Sequence, residues 1–586
     1  MQQQQPRIGV EAPIPGVVYP PQEALERYVA GGALGFRTLP DALRAAMRTH
    51  ADKVAISAPE GSLTFSELDQ QTDRAAAALL KLGLKPLDAA IFQLANSTSL
   101  VVAVIACWKA GILPVCTLAA HREHEIGYLA NHTRARAHFV LDDDRKFDHV
   151  GFAMKMRRKA PTLAFTIVAN ANKLGLLGRL ASVFKSATAE PHDPKTQVYS
   201  LRRLIDGMDP GEARTLLARV QHDPFQAVVF QLSGGTTGVP KVIPRMHNEY
   251  LYNMELVARH LGWSSGDAIF YPPPMMHNAN MVCGWGPALL AGVRNIIVPE
   301  PDARDFARVM MFQKPTWIGV TRAILMRISD AVAGKLISFK SLRGVMSMNA
   351  SELVRKEIGV FGAHVFGMTE GVVMMTHRDD SARAQDKTVG RPLSPFDEVK
   401  LLVPGTENEA AEGEVGELAV RGAYTIHGYF DAPEQDARAF TSDGFYRSGD
   451  LMSRCVIEGK TYYVFEGRIK DVVDRGGEKI SCEEVELAVG AHAAVADCAV
   501  VPMPCETFGE RACAFVVPRN GRGAPALHEL QAHLQGYGLA KFKWPERIEE
   551  INALPTTKAG KPDKQSLRSL IAERVGAETA AAKALQ

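Results

Sequence analysis

The sequence predicts an α/β protein: a large N-terminal domain built on parallel sheets, containing a β-rich subdomain, followed by a small α+β C-terminal domain. Three observations predict it. Over residues 20–140 helical and strand signals alternate, which is the pattern of strand–crossover–strand units and parallel sheets. From about residue 400 to 468 the signals become short alternating strands broken by glycine turns. Beyond "GRIKDVVDRGGEKIS" they become a compact mixture of both. The boundaries are read as 1–468 for the first domain, with the β-rich part at about 400–468, and 469–586 for the second.

In chain order, "TFSELDQQTDRAAAALLKLGL" has a cap at Thr64 and an apolar helical stripe that ends near Gly83. "DAAIFQL" reads as a strand, "STSLVVAVIACWKAG" as a buried helix stopped by glycine, and "ILPVCTL" as the next strand. Residues 145–200 are less regular and read as an insertion with a basic amphipathic piece, for which a solvated covering helix is preferred to a membrane-surface one. The α/β pattern resumes over 225–400, starting from the strand "AVVFQL". "EVKLLV", "GEVGELAVRG" and "TYYVFEG" are the strands of the β-rich part. The C-terminal part has a helix at "CEEVELAVGAHA", strands at "DCAVVPM" and "RACAFVVP", another helix and a final helical tail.

With 586 residues, 46% of them hydrophobic, the chain is long enough for several domains with large cores. Sixty-seven basic against 65 acidic residues give a net charge of +2, so no nucleic-acid surface is indicated. None of the eight cysteines forms a C-x-x-C pair, so neither a zinc site nor a disulfide framework is expected. The N-terminus has no signal-peptide pattern, and the longest apolar run, "LVVAVIACW", is too short to span a bilayer. These features predict a cytoplasmic protein without membrane contact.

The most informative stretch is "QLSGGTTGVPKVIPRMHNEY". Gly234, Gly235 and Gly238 allow successive backbone N–H groups to point into one concavity, which binds anions. Ser233, Thr236 and Thr237 add hydroxyls and Lys241 a mobile positive charge, a set that fits phosphate oxygens. It is not a Walker A loop, because no Gly-Lys-Ser/Thr follows at the required spacing. An ordinary glycine-rich surface loop has the same composition, so the rest of the chain has to decide. Four segments do so in order: "HVFGMTEGVV" with Glu370, "DGFYRSGD" with Asp450, "FEGRIKD" with Arg468 and Lys470, and "LPTTKAGKPDK" with Lys561.

Together these motifs resemble the adenylate-forming enzymes, a superfamily of acyl- and aryl-CoA synthetases, peptide-synthetase adenylation domains and luciferase-like ligases. The resemblance runs from about residue 20 to 570. "MMHNANMVCGWG", "RGAYTIHGYF" and "RGGEKISCEEVE" are most similar to the stand-alone aryl-acid–AMP ligases, which activate salicylate or 2,3-dihydroxybenzoate. The resemblance implies ATP and Mg²⁺ as cofactors and acyl-adenylate formation with loss of pyrophosphate. It assigns Ser233, Gly234, Gly235, Thr236, Thr237, Gly238 and Lys241 to the phosphates. Glu370 would hold the metal, Asp450 and Arg468 the ribose side, and Val365, Met368 and Thr369 would complete the nucleotide site. Lys561 would bridge the substrate carboxylate and the α-phosphate from a mobile tail that pivots at Lys470. Rotation of that tail would bring Gly477 to a thiol channel.

For the acid, the resemblance points to His277 at the carboxylate, Asn278 at an ortho-hydroxyl, and Cys283 and Val373 around the ring. In the relatives a serine at the position of Cys283 goes with dihydroxybenzoate and a cysteine with salicylate. Two departures reshape this pocket. "MSMNAS" puts Met348 and Asn349 where the relatives have glycines, and Ala279 stands where a tyrosine often follows the His-Asn pair.

The expected function is activation of an aromatic carboxylic acid (salicylate, 2,3-dihydroxybenzoate or a benzoate-like acid) and transfer to the phosphopantetheine of an aryl carrier protein. The alternatives are an aryl- or acyl-CoA synthetase that uses free CoA, and an inactive nucleotide-binding scaffold, against which the intact Lys241, Glu370, Asp450, Arg468 and Lys561 argue. A homodimer is compatible with this reading.

Overall fold

Two large sheets face a shared layer of helices, with two smaller sheets following in the chain. This computed structural model describes residues 7–142, 147–169, 192–233, 240–299, 301–320, 337–347, 351–469, 472–519, 523–555 and 562–584. The first large sheet has seven strands in the spatial order Val198–Ser200, Phe165–Ala169, Ala137–Leu141, Ala89–Gln93, Leu113–Val115, Ala227–Ser233 and Lys241–Met246. All its pairings are parallel except the last, where Ala227–Ser233 and Lys241–Met246 form an antiparallel pair at the edge. The second has nine strands, running from Arg391–Pro392 at one edge, through a parallel centre, to Gly61–Thr64 at the other.

The helices between them form as expected, for local reasons. Phe65–Leu82 starts in a capping box, with the Thr64 hydroxyl accepting from Glu67 N–H and the Glu67 carboxylate accepting from Thr64 N–H. It ends at Gly83, whose φ of +112° suits a residue without Cβ. Thr98–Ala110 is apolar on all faces and buried throughout beyond its first turn. Its Trp108 stacks on Trp285 with ring centroids 5.5 Å apart. Lys109, where the apolar run breaks off, is itself fully buried, because its ammonium reaches Asp69 Oδ1 at 2.5 Å and Asp73 Oδ1 at 2.7 Å. Leu68, Ala76, Ile105, Phe92 and Trp317 share the principal core.

The β-rich part is a four-stranded antiparallel sheet of Glu398–Leu402, Gly416–Arg421, Tyr446–Ile457 and Lys460–Arg468. The last sheet has five strands, among them Val495–Cys505 and Gly509–Pro518, covered by Cys482–Gly490 and Lys564–Ala584. It rests on the N-terminal part through Lys543, whose buried ammonium lies 2.7 Å from Glu484 and 3.1 Å from Glu125.

The insertion expected over 145–200 is more regular than the sequence suggests. Helix His149–Lys159 and strands Phe165–Ala169 and Val198–Ser200 belong to the seven-stranded sheet and its cover. The helix buries only His149, Ala153 and Met156 and ends in Arg157, Arg158 and Lys159, which hides its apolar face in a polar sequence. Of the stretch "NKLGLLGRLASVFKSATAEPHD", the basic amphipathic piece, all but the last two residues lie outside the described residues. Among the described residues no helix is long and apolar enough to cross a membrane.

Candidate active site

The site grows from the antiparallel pair at the edge of the seven-stranded sheet. Ser233 ends one strand and Lys241 opens the next, in register with each other. Gly234, Gly235, Thr236, Thr237 and Gly238, which connect them, lie outside the described residues. Lys241 is held against Tyr429: its Nζ donates to Tyr429 Oη at 3.2 Å and sits 4.3 Å from the centroid of that ring. Tyr429 in turn donates to Glu370 Oε1 at 2.9 Å and pairs with Tyr446 Oη at 3.0 Å. Lys241 and Glu370, distant in sequence, are therefore joined through one phenol. Burial and the neighbouring Glu370 carboxylate push the Tyr429 phenol well above its ordinary 10, so it stays a donor. Asp450 follows Tyr446 on one strand, is 3% exposed, and adds its charge to those acting on the Tyr446 phenol. Across the strand pair its register partner is Arg468, whose side chain lies outside the description.

Glu370 sits in the tight connection between strands Phe361–Met368 and Gly371–Met375, which pair antiparallel. Its backbone carbonyl accepts from Ile426 N–H at 2.8 Å, and the Thr369 carbonyl accepts from Arg245 Nη1 at 2.6 Å. Arg245 is fully buried, bonded to both oxygens of Glu249 at 2.8 and 2.5 Å and to the Tyr424 carbonyl at 2.8 Å. Burial works against its charge, but Glu249 outweighs that and leaves the guanidinium firmly protonated. Val365 and Met368, on the strand that leads into this turn, are partly buried.

The proposed acid residues converge on the same core. His277 caps the short helix Asn278–Asn280, with its Nδ1 accepting from Ala279 N–H at 3.3 Å. Cys283 is buried in the π-helical turn Met281–Trp285, a local widening common where side chains are re-aimed at functional sites. Gly284 is required there, since a Cβ would stand 2.2 Å from Asn280 Oδ1 and 2.5 Å from the Tyr271 ring. Burial raises the Cys283 thiol to about 12, so it is a neutral side chain. Asn278 Oδ1 accepts from Tyr250 Oη at 2.8 Å, and Tyr250 Oη accepts from Gln231 Nε2 at 3.0 Å. Val373 is buried in the cluster that holds Tyr250, Cys283 and Met346, and its N–H donates to Tyr424 Oη at 3.2 Å. Tyr424 donates onward to Asp397 Oδ2 at 2.7 Å, and burial raises that carboxyl to about 7.

Lys241 and Glu370 thus meet at Tyr429, with Ser233 paired to Lys241 in the sheet and Asp450 on the strand of Tyr446, while Cys283 and Val373 share a core cluster with Tyr250, the partner of Asn278. Met348, Asn349, Lys470 and Lys561 lie outside the described residues. Gly477 is the second residue of a two-residue turn between Val472–Arg475 and Glu478–Ser481, where Gly476 and Gly477 have φ of +62° and +98°. Among the described residues no three His, Cys, Asp or Glu side chains gather as metal ligands. Sequence reasoning missed Tyr429, Arg245, Tyr250 and Gln231. The spacing of Arg245 and Glu249, four apart across the junction of strand Lys241–Met246 and helix His247–Leu261, is the one local signal among them.

Comparison with known proteins gives a consistent result. The AMP-binding enzyme family profile matches residues 43–430, and the AMP-binding enzyme C-terminal domain matches residues 484–561. The chain is 34% identical to a 2,3-dihydroxybenzoate-AMP ligase of Bacillus subtilis, over 95% of this chain and 97% of that protein. It is 36% identical to a salicylyl-CoA synthase/salicylate adenylyltransferase of a Streptomyces species, over 95% and 98%. Among solved structures, the apo structure of MbtA from Mycobacterium smegmatis superposes with a TM-score of 0.65 at 31% identity, covering 94% of this chain and 98% of that one.

Proposed function

This chain belongs to the AMP-binding enzyme family, and on that premise we propose that it uses ATP to activate an aromatic carboxylic acid. A carboxylate oxygen attacks the α-phosphorus, the bond to pyrophosphate breaks, and an aryl-adenylate results. A pantetheine thiol then attacks the acyl carbon and AMP leaves. The observation that carries this reading is the chain from Lys241 through Tyr429 to Glu370, which joins an ammonium and a carboxylate at the strand pair that residues 234–238 connect.

Two anions must meet in the first step, so catalysis is mostly charge neutralisation and alignment. Ser233, the 234–238 loop and Lys241 serve the phosphates in this reading. Asp450 accepts from the ribose hydroxyls, a carboxylate having lone pairs for two such bonds. Arg468 supports the ribose, and Val365, Met368 and Thr369 complete the nucleotide site. A magnesium ion fits the donor set, since this hard cation takes one or two carboxylates and completes its shell with phosphate oxygens and water. Glu370 is the buried carboxylate that would hold it, and the ion would supply charge neutralisation at the phosphates. Lys561 reaches the reacting carboxylate from a C-terminal domain of 469–586 that pivots at Lys470 against a domain of 1–468, and Gly477 lines the thiol path. His277, Asn278, Cys283, Val373, Met348 and Asn349 form the acid pocket. The relatives named above support an ortho-hydroxylated benzoate as substrate, and a cytoplasmic setting goes with it.

A carrier-borne phosphopantetheine is the acceptor in the first form of this reading. The name of the Streptomyces relative favours a second form, with free CoA. The test is ATP–pyrophosphate exchange across benzoate, salicylate, 2,3-dihydroxybenzoate, anthranilate and alicyclic acids, followed by thioester formation with CoA and with a loaded aryl carrier protein. Exchange with a ring acid supports the proposal. Exchange with alicyclic or aliphatic acids alone overturns it.

A further inference from the structure

We infer that Tyr250 and Gln231 are positioning residues: they fix which end of the Asn278 amide is left to meet the acid, and so hold in place the reading of an ortho substituent that the resemblance assigns to Asn278. The inference deepens the aryl-acid reading above and rests on it.

The argument is a count of protons. Gln231 Nε2 lies 3.0 Å from Tyr250 Oη and 3.3 Å from Met281 Sδ. A thioether sulfur only accepts, so this end of the Gln231 side chain is the N–H₂ group. Tyr250 therefore accepts from Gln231. A phenol has a single proton, and that of Tyr250 goes to Asn278 Oδ1 at 2.8 Å. Burial raises the Tyr250 phenol well above its ordinary 10, so the proton is not lost. The Tyr250 ring is itself held, with the Arg245 guanidinium 5.3 Å from its centroid and that guanidinium clamped by Glu249. The Asn278 carbonyl is thus turned inward and committed. Its Nδ2 is the end left over, and among the described residues it has no hydrogen-bond partner. Asn278 is 5% exposed as a residue, yet its Nδ2 is not one of the fully enclosed side-chain atoms that lack a partner, so it is the end of the amide that a ligand can reach.

The location suits a ligand. Asn278 lies beyond the carboxyl end of the parallel strand Ala268–Phe270, and Gln231 is near the carboxyl end of Ala227–Ser233. Ligands in open α/β sheets bind off those ends. A pocket that presents a donor at the ring edge rewards a 2-hydroxyl, which gives its proton to the neighbouring carboxylate and accepts on oxygen. A 2-amino group brings two N–H donors and a lone pair delocalised into the ring, so donor would meet donor. Sites built around one hydrogen bond reject the mismatched analogue more strongly than apolar pockets reject a methylene.

The experiment is kcat/KM in pyrophosphate exchange for salicylate and anthranilate, in the wild type, Tyr250→Phe and Asn278→Asp. The wild type is expected to prefer salicylate by about tenfold or more, the value of one net hydrogen bond. Tyr250→Phe releases the amide to turn over, and the preference is expected to fall to within about threefold while the ATP KM stays constant. Asn278→Asp keeps an acceptor for Tyr250 but removes the donor, and is expected to invert the preference. If Tyr250→Phe does not fold, Asn278→Asp decides alone. Parallel losses for both acids, with the ratio unmoved in the variants that fold, overturn the inference. A wild type that exchanges with neither acid nor any other ring acid overturns the aryl-acid reading instead.

Discussion

On the side proposed for the phosphates Lys241 meets a tyrosine face and, through its hydroxyl, the Glu370 carboxylate, whereas on the side proposed for the acid the Asn278 side chain meets, among the described residues, Tyr250 and, behind it, Gln231. The first arrangement is built on full charges with one phenol between them. In the second the groups that face Asn278 are neutral donors and acceptors, and the charged pair Arg245–Glu249 stands behind the Tyr250 ring. Even the carboxyl on that side, Asp397 behind Tyr424 and Val373, is raised by burial to about 7. The contrast follows from the ligands each side would hold. A triphosphate is highly charged and the same in every reaction of this type, so fixed charges serve it. An aromatic ring differs from its analogues by single polar groups, and those are told apart by the direction of one hydrogen bond.

Four perturbations test that division, from the largest effect down. Removing the cation proposed to reach the reacting carboxylate, Lys561→Ala, is expected to lower adenylate formation by about 10²–10³, the scale of one lost transition-state donor. Thioester formation from supplied aryl-adenylate should survive, and equal collapse of both half-reactions would show that Lys561 is not confined to the first. Next, Tyr429→Phe keeps the ring under Lys241 but deprives Glu370 of its 2.9 Å donor. A bond to a charged group is worth about 1.5–3 kcal/mol, so kcat/KM for ATP should fall by about ten- to a hundredfold with the acid KM unmoved. A change shared by both substrates would mean that the two sides are not separate.

Asp397 gives the third test, through pH. Its carboxyl is raised from 3.8 to about 7 in the folded chain. The folded state therefore holds a proton that the unfolded state has released, so this contribution is complete below 3.8 and is lost as pH rises towards 7. Between pH 5 and 7 the wild type should lose about 2 kcal/mol more stability than Asp397→Asn, as read from urea unfolding at each pH. Identical pH slopes would place an ionised carboxylate on the acid side and blur the contrast. The smallest effect belongs to Cys283→Ser. A thiol is a poor partner for a second ring hydroxyl, and the exchange to serine should shift kcat/KM towards 2,3-dihydroxybenzoate over salicylate by about 1 kcal/mol. Parallel changes for both acids would make Cys283 a packing residue only.

Legibility in the sequence divides along the same line. The capped helix Phe65–Leu82, the buried helix Thr98–Ala110 and the strands around them are local patterns, and the structure has them where the periodicity puts them. Ser233, Lys241, Glu370 and Asp450 stand in short motifs with a chemical reason for each residue type. Tyr429 could not be found that way, because nothing within ten residues of it says that its hydroxyl will meet Glu370. Tyr250 and Gln231 are likewise ordinary helix and strand residues until tertiary packing brings Asn278 to them. Lys109 shows the opposite difficulty. Read as the polar stop of an apolar run, it is a fully buried cation, because Asp69 and Asp73 come from the neighbouring helix Phe65–Leu82 to meet it.

Gln231 and Ser233 are two apart on one strand, so their side chains point to the same face. One is the root of the relay behind Asn278 and the other the entry to the phosphate loop. For engineering, this sets the shape of a useful library. Randomising Ala279, Cys283 and Val373 would vary the walls proposed around the ring while Gln231, Arg245 and Tyr250 are held constant as a frame. Recoding Gln231 itself would mix two phenotypes in every clone, since a change of acid preference and a change of nucleotide grip would be inherited together.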